Sequence, residues 1–188
     1  MEETLKNIFD NVNEWLKFAE AKNGILIALL GTALFTLLEK SSSILFRDNI
    51  SISNNMLVIK FDINFFVSLY LVLLIIFLLI AVGILLMSFL PQTKRLFKIK
   101  GVKNENDNSL FYGDIIKYTP EEYLKFIEPN RTDFSKSELD YAYQIVINSH
   151  IAYRKYKYFE LALLAILSGI LTVLGAFLVN RYFNPNNK

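Results

Sequence analysis

The chain has 188 residues, with 20 Lys and Arg against 18 Asp and Glu, no cysteine, and an apolar content of 53%. A net charge of +2 argues against a nucleic-acid partner, and the lack of cysteine removes disulfides, thiolate chemistry and cysteine metal sites. The apolar residues are gathered into long runs, and those runs decide the fold class.

The first 22 residues carry Leu5, Ile8, Phe9, Val12, Leu16 and Ala19 at steps of three and four, with charged residues elsewhere, which is the pattern of an amphipathic helix. No proline interrupts it, so one helix is predicted from about Thr4 through Leu38, its cytoplasmic part spanning 1–22 and a first transmembrane part 23–40. The uncharged stretch from Asn23 to Leu38 is roughly 24 Å long as a helix and needs the stems of Glu39 and Lys40 to reach the interface. A cleaved leader is the competing reading. It is disfavoured because acidic residues precede the run and no clear small-x-small site follows it.

Residues 41–63 read as an external connector. Ser53, Asn54 and Asn55 supply turn chemistry, and Leu57, Ile59, Phe61 and Ile63 alternate with Val58, Lys60 and Asp62, so a short hairpin is expected there. Residues 64–90 contain no charge and reach roughly 40 Å as a helix, more than a hydrocarbon core requires. In lipid the backbone must pair with itself, which restricts spanning segments to helices or closed barrels.

Pro91 stops this second span, and the polar, basic run 94–109 reads as a mobile linker within a cytoplasmic linker and sensor region, 91–157. Thr119, Pro120 and Glu122 mark a helix start with a capping box, ending near Glu128 and Pro129. Ser135 and Glu138 form a second such start, and no proline or glycine follows until Gly169. One helix is therefore predicted from the sensor region into a third span, 158–181, leaving an external tail at 182–188. The fold class is an all-α membrane protein: three transmembrane helices with a small cytoplasmic helical bundle built from the head, residues 110–128 and the start of the long helix.

Cations set the expected orientation. The head and the loop 91–157 hold all but Lys40, Arg47, Lys60, Arg181 and Lys188, which puts the N-terminus and the long loop on the cytoplasmic side of the membrane. Small residues on the third span (Ala162, Ala165, Gly169, Thr172, Ala176) and the first (Gly24, Ala28, Gly31, Thr32) point to those two helices packing together or self-associating in a homo-oligomer. The middle span, nearly all Leu, Ile, Val and Phe, suits a lipid-facing position. No ionisable group lies inside a span, which argues against a transporter.

Catalysis is poorly represented: there is one histidine, His150, and no HExxH, P-loop, GxGxxG or GxSxG motif, so the chain reads as no enzyme, with no metal and no cofactor. Glu121, Glu122, Asp133, Glu138 and Asp140 are explained as helix-start residues. On the long helix His150, Tyr153, Arg154 and Lys157 share a face that can grip a small anion through Arg154 while Tyr153 or Phe111 stacks on a planar ring. Arg154 and Lys155 equally suit cations anchoring a helix at the inner membrane surface. Phe111, Tyr112, Gly113 and Asp114 form an aromatic-glycine turn that is either a closing flap or an aromatic plug.

Three blocks in order, EAKNGILIALLGTAL at 20–34, LFYGDIIKYTPEEYL at 110–124 and QIVINSHIAYRKYKYFELAL at 144–163, resemble the membrane effectors of Pycsar antiphage defence, the PycTM type. The resemblance covers most of the chain. It implies an effector that senses a cyclic pyrimidine mononucleotide, cCMP or cUMP, made by a partner cyclase, and then impairs the inner membrane to abort infection. On that reading Arg154 and Lys155 hold the phosphate, Phe111 and Tyr153 stack on the base, and Asn23 and Asp114 meet polar edges. The alternative is a non-catalytic membrane scaffold or protein-interaction module without a nucleotide ligand. A holin-like pore that needs no ligand is a third reading.

Overall fold

The computed structural model describes residues 1–41, 50–53, 56–59, 63–90 and 101–183. Its elements in chain order are α1 (Glu2–Ser41), β1 (Ile50–Ser53), β2 (Met56–Ile59), α2 (Ile63–Met87), α3 (Tyr112–Ile115), α4 (Pro120–Ile127) and α5 (Lys136–Phe183). The fold is helical, and among the described residues three helices are long and apolar enough to cross a membrane. The two short strands pair antiparallel, Ile50 opposite Ile59 and Ser53 opposite Met56, which forms the expected hairpin. Ile63, read from the sequence as the end of a strand, starts α2 instead. The basic residues Lys94, Arg95, Lys98 and Lys100 lie outside the described residues, as do 184–188.

The chain divides into two compact units. Met1–Gly24 with Met87–Phe159 form the first, and Ile25–Leu86 with Glu160–Lys188 form the second. Helices α1 and α5 each run without a break through both stretches of sequence.

In the first unit, Leu5, Ile8 and Val12 of α1 are buried with Ile115, Tyr118, Tyr123 and Leu124 from the α3–α4 segment and Ala142, Ile145 and Val146 of α5. Each large apolar side chain enclosed this way contributes about 1.5–3 kcal/mol. Three polar contacts join α1 to α5: Ser137 to Glu2 at 2.8 Å, Asn148 to Asn13 at 2.8 Å, and Lys155 to Glu20 at 3.1 Å. Every pair is 135 residues apart, so the two helices run parallel in one register over this length.

Both sequence-marked helix starts form. At Thr119 the hydroxyl accepts from the Glu122 N–H at 3.2 Å and the Glu122 carboxylate accepts from the Thr119 N–H at 2.9 Å. Ser135 and Glu138 exchange the same two bonds at 2.8 and 3.2 Å, and Arg131 adds a two-pronged contact to Glu138 at 2.8 and 2.9 Å. Where the composition of 94–109 reads as a mobile linker, residues 104–109 are fastened. Asp107 accepts from Lys117 at 2.6 Å and from the Tyr118 hydroxyl at 2.9 Å, and the Ser109 carbonyl accepts from Tyr123 at 2.6 Å.

In the second unit, Leu30 and Leu34 of α1, Ile75, Leu78, Ala81 and Leu85 of α2, and Ala162 of α5 form one buried cluster. The middle span is thus a packing partner. Gly169 is the reason α2 approaches α5: a β-carbon there would lie 3.0 Å from Leu74 Cδ1 and 3.1 Å from Phe77 Cβ. Ala162, Gly169 and Ala176 recur every seven residues and all are buried. The small residues of α1 do not serve this purpose, since Ala28, Gly31 and Thr32 are exposed and a β-carbon on Gly31 would meet nothing within 4 Å.

Outward-facing polar groups satisfy themselves. Thr32, Thr36, Ser168 and Thr172 donate to carbonyls of their own helix, at Ala28, Thr32, Leu164 and Gly169, as a lipid environment requires. Leu29, Phe35, Leu79, Leu171, Phe177 and Leu178 are more than half exposed, a surface suited to acyl chains.

Candidate ligand-binding site

The polar residues singled out from the sequence all belong to the first unit, where they fall into three groups. The first is a buried knot at the end of α2. A helix leaves its last four carbonyls without partners, and here the Ser88 carbonyl, just past Met87, accepts from the Lys155 ammonium at 2.9 Å. The same ammonium pairs with Glu20 at 3.1 Å and lies 5.4 Å from the Phe89 ring. Asn23, wholly buried, donates to the Ser88 hydroxyl at 3.0 Å and more weakly to the Lys155 carbonyl at 3.4 Å. Asn23 and Lys155 are therefore brought together, and both have internal partners.

The second group is the aromatic-glycine turn. Phe111 folds over Gly113, where a β-carbon would meet its ring at 2.5 Å, so only glycine accommodates that ring position. Asp114 accepts from the Asn108 N–H at 3.0 Å and from Lys117 at 2.6 Å. Lys117 stands between Asp114 and Asp107; its hydrogen bond to Asp107 and then its bond to Asp114 raise its pKa, and the same Lys117 bond holds Asp107 below the usual carboxylate range. Burial, followed by its bond to Asp107, pushes Tyr118 up to about 12. Asp114 serves this loop-fastening network.

The third group is aromatic. Tyr112 stacks on Tyr156 with ring centroids 5.1 Å apart and planes 8° apart. Phe111 lies 4.7 Å from Tyr112, and Trp15 of α1 lies 5.7 Å from Tyr112 and 6.3 Å from Tyr156. Burial, and then the neighbouring Tyr153, raise the Tyr112 pKa. The Lys22 ammonium sits 4.4 Å from the Phe18 ring, 5.8 Å from Tyr156 and 5.6 Å from Phe159.

Arg154 is half-buried and donates to the Tyr158 hydroxyl at 3.2 Å. Two residues from Tyr156 on an α-helix, it points about 200° round the axis from that ring. Of the residues assigned to one ligand from sequence, Tyr153, Arg154 and Lys155 are consecutive on α5 and so point about 100° apart from one to the next.

Sequence reasoning placed Tyr112 in the aromatic-glycine turn without giving it a ligand contact, and did not single out Trp15, Lys22 or Tyr156. The available signal was Trp15, Phe18 and Lys22 at steps of three and four on α1, the same face by helical spacing. Three side-chain atoms are buried without a hydrogen-bond partner among the described residues: Asn23 Oδ1, Ser149 Oγ and Tyr156 Oη. Among the described residues no group of three His, Cys, Asp or Glu is placed to hold a metal ion.

The family model described as Pycsar effector protein domain, PycTM, matches residues 4–180. The chain belongs to the Pycsar effector family. No curated protein and no solved structure gave a match. As a PycTM-type Pycsar effector the protein is a multi-pass membrane effector of antiphage defence, of a non-enzymatic effector kind, and its family implies a cyclic-nucleotide signal. The match takes in α1, α2, the α3–α4 segment and nearly all of α5, so both compact units of this Pycsar effector fall within it.

Proposed function

We propose that this Pycsar effector binds a cyclic pyrimidine mononucleotide, cCMP or cUMP, in its first unit and responds by breaching the bacterial inner membrane, aborting infection. The first unit lies in the cytoplasm, with the N-terminus, and the protein acts as a homo-oligomer without catalysis. The observation that carries this reading is that α1 and α5 run parallel in one register in the first unit and are the same unbroken helices that supply two of the three apolar spans. A ligand that prefers one packing of that helix pair thereby biases the helices that enter the membrane.

Only a difference in affinity between two states drives such a change. Moving the protein from about 1% to about 99% active requires roughly 10⁴-fold tighter binding to the active state. The cation distribution supports the orientation, since Lys6, Lys17 and Lys22 of the head and Arg154, Lys155 and Lys157 before the third span fall on one side. Arg154, Tyr153 and Phe111 remain candidate ligand contacts, with Asn23, Asp114 and Lys155 coupling the ligand region to α2 and to the loop 104–109 through the bonds they already make.

The test is reconstitution in liposomes loaded with a self-quenched dye under a potassium diffusion potential. Addition of cCMP or cUMP collapses the potential or releases dye on this reading. An inert response to both nucleotides, with the protein inserted and folded, would support a scaffold instead.

A further inference from the structure

Trp15, Phe18 and Lys22 lie on one face of α1, at steps of three and four, so about 10 Å of helix separates the indole from the Lys22 backbone. The Lys22 side chain lies against Phe18, and its ammonium stays within 6 Å of the Tyr156 ring. The ammonium lies against aromatic rings, and among the described residues no carboxylate pairs with it. This cation is thus held beside a stack of rings.

The stack itself is unfinished. Trp15 is 36% exposed and inclined 58° to Tyr112 and 66° to Tyr156, so it borders the parallel Tyr112–Tyr156 pair without closing over it. An open groove lined by Asn11, Glu14, Trp15 and Phe18 reaches the stack on its Trp15 side, without Lys22, Tyr112 or Tyr156 in its lining. The Tyr156 hydroxyl is buried with no partner among the described residues, a cost that an acceptor on a ligand removes. A cation and a buried hydroxyl, neither with an ionic or hydrogen-bond partner among the described residues, and three aromatic rings make a set of groups suited to a planar ring that carries a single phosphate.

We propose that the nucleotide of the preceding reading, on which this inference rests, binds here: its base on Trp15 and the Tyr112–Tyr156 stack, its phosphate on Lys22, with Tyr156 Oη donating to it. Phe111 is the flap. Its ring folds over Gly113 and lies 4.7 Å from Tyr112, and in this proposal it turns onto the base as the ligand enters. This site lies away from the Arg154 side of α5, so phosphate recognition falls to Lys22.

The experiment uses the full chain in lipid nanodiscs. Binding of radiolabelled cCMP and cUMP is measured by equilibrium dialysis, and emission is read in parallel from Trp15, the one tryptophan in the chain. The expected result is binding of at least one nucleotide with quenching of Trp15. Lys22→Gln and Tyr112→Ala then each weaken binding roughly tenfold or more, and Lys22→Arg retains it. Tyr156→Phe, which removes one buried hydroxyl and keeps the ring, weakens binding and leaves the melting temperature unchanged or higher.

Binding that persists in Lys22→Gln and Tyr112→Ala, with Trp15 emission unmoved, would overturn this site while leaving the proposed function standing. Loss of affinity in Arg154→Gln with none in Lys22→Gln would move the phosphate to the opposite side and overturn it likewise. Absence of binding to either nucleotide by dialysis overturns the proposed function, and the site with it.

Discussion

Lys155 makes the sharpest energetic prediction because its two partners are so differently exposed. The Lys155 side chain is 8% exposed, while that of Glu20 is 48% exposed. An ion pair with one half-hydrated member is worth little, below about 1 kcal/mol. The bond to the Ser88 carbonyl is another matter, since Ser88 is fully buried and its carbonyl, at the end of α2, has few other sources of a donor. Losing that donor costs about 1–3 kcal/mol. Lys155→Met keeps the apolar stem and loses the donor, so it is expected to destabilise by about 1–2 kcal/mol. Lys155→Ala also removes three buried methylenes at about 0.8 kcal/mol each, for a total of about 3–4 kcal/mol. Glu20→Gln should stay below about 1 kcal/mol. At about 2–4 °C per kcal/mol for a chain of this size, thermal melts of the detergent-solubilised protein separate the three variants. A Glu20→Gln cost equal to that of Lys155→Ala would mean that the ion pair, and not the helix-end carbonyl, dominates.

Three further outcomes follow from the geometry. Gly169→Val should cost about 1–3 kcal/mol by forcing Leu74 and Phe77 away, with Phe77 meeting it through a Cβ that cannot rotate aside, while Gly175→Ala, with nothing within 4 Å, should be neutral in the same melts. Tyr123→Phe leaves the Ser109 carbonyl without its donor, about 1–2 kcal/mol, and hydrogen exchange should quicken at residues 109–111. The stability of the first unit should depend on pH at both ends. Asp107 has a lowered pKa when folded, so its contribution is present above its ordinary value of 3.8 and lost as pH falls through the folded value. Tyr118, raised from 10.0 to about 12, and Lys117, raised above 10.5, contribute fully below their ordinary values and lose that contribution as pH climbs through the folded ones. Asp107→Asn should therefore flatten the acid limb of a denaturation profile; an unchanged limb would contradict the role given to this network.

Much of the fold is legible in the sequence because its signals are local. Uncharged runs, the two capping boxes at Thr119 and Ser135, and the absence of proline from 136 onward to the third span are sufficient for α1, α2, α4 and α5. What could not be read is which face of each helix meets which neighbour. The middle span is apolar all round, so its composition does not reveal that Ile75, Leu78, Ala81 and Leu85 form a packing seam. Gly24, Ala28 and Gly31 look like a contact stripe, but Leu30 and Leu34 carry α1's packing in the second unit. The polar stretch 104–109 looks free because its anchors, Lys117, Tyr118 and Tyr123, lie beyond it in the chain.

For the candidate site, the sequence singled out the aromatic-glycine turn and the polar end of α5, but it grouped Arg154 and Lys155 by proximity along the chain. Helical rotation separates them, and the buried Ser88 carbonyl, 67 residues away from Lys155, engages one of the two. Lys22 received no ligand role from the sequence. Its distinction is three aromatic neighbours from two helices, which no spacing within α1 alone could disclose.

The central claim is that a cyclic nucleotide turns this protein against the membrane that holds it, and the most direct measurement is membrane potential in cells expressing the chain with an active or an inactivated pyrimidine cyclase. The account predicts depolarisation only with the active cyclase, following the appearance of cCMP or cUMP. Depolarisation that is equal with both, or absent with both at normal expression, would contradict it.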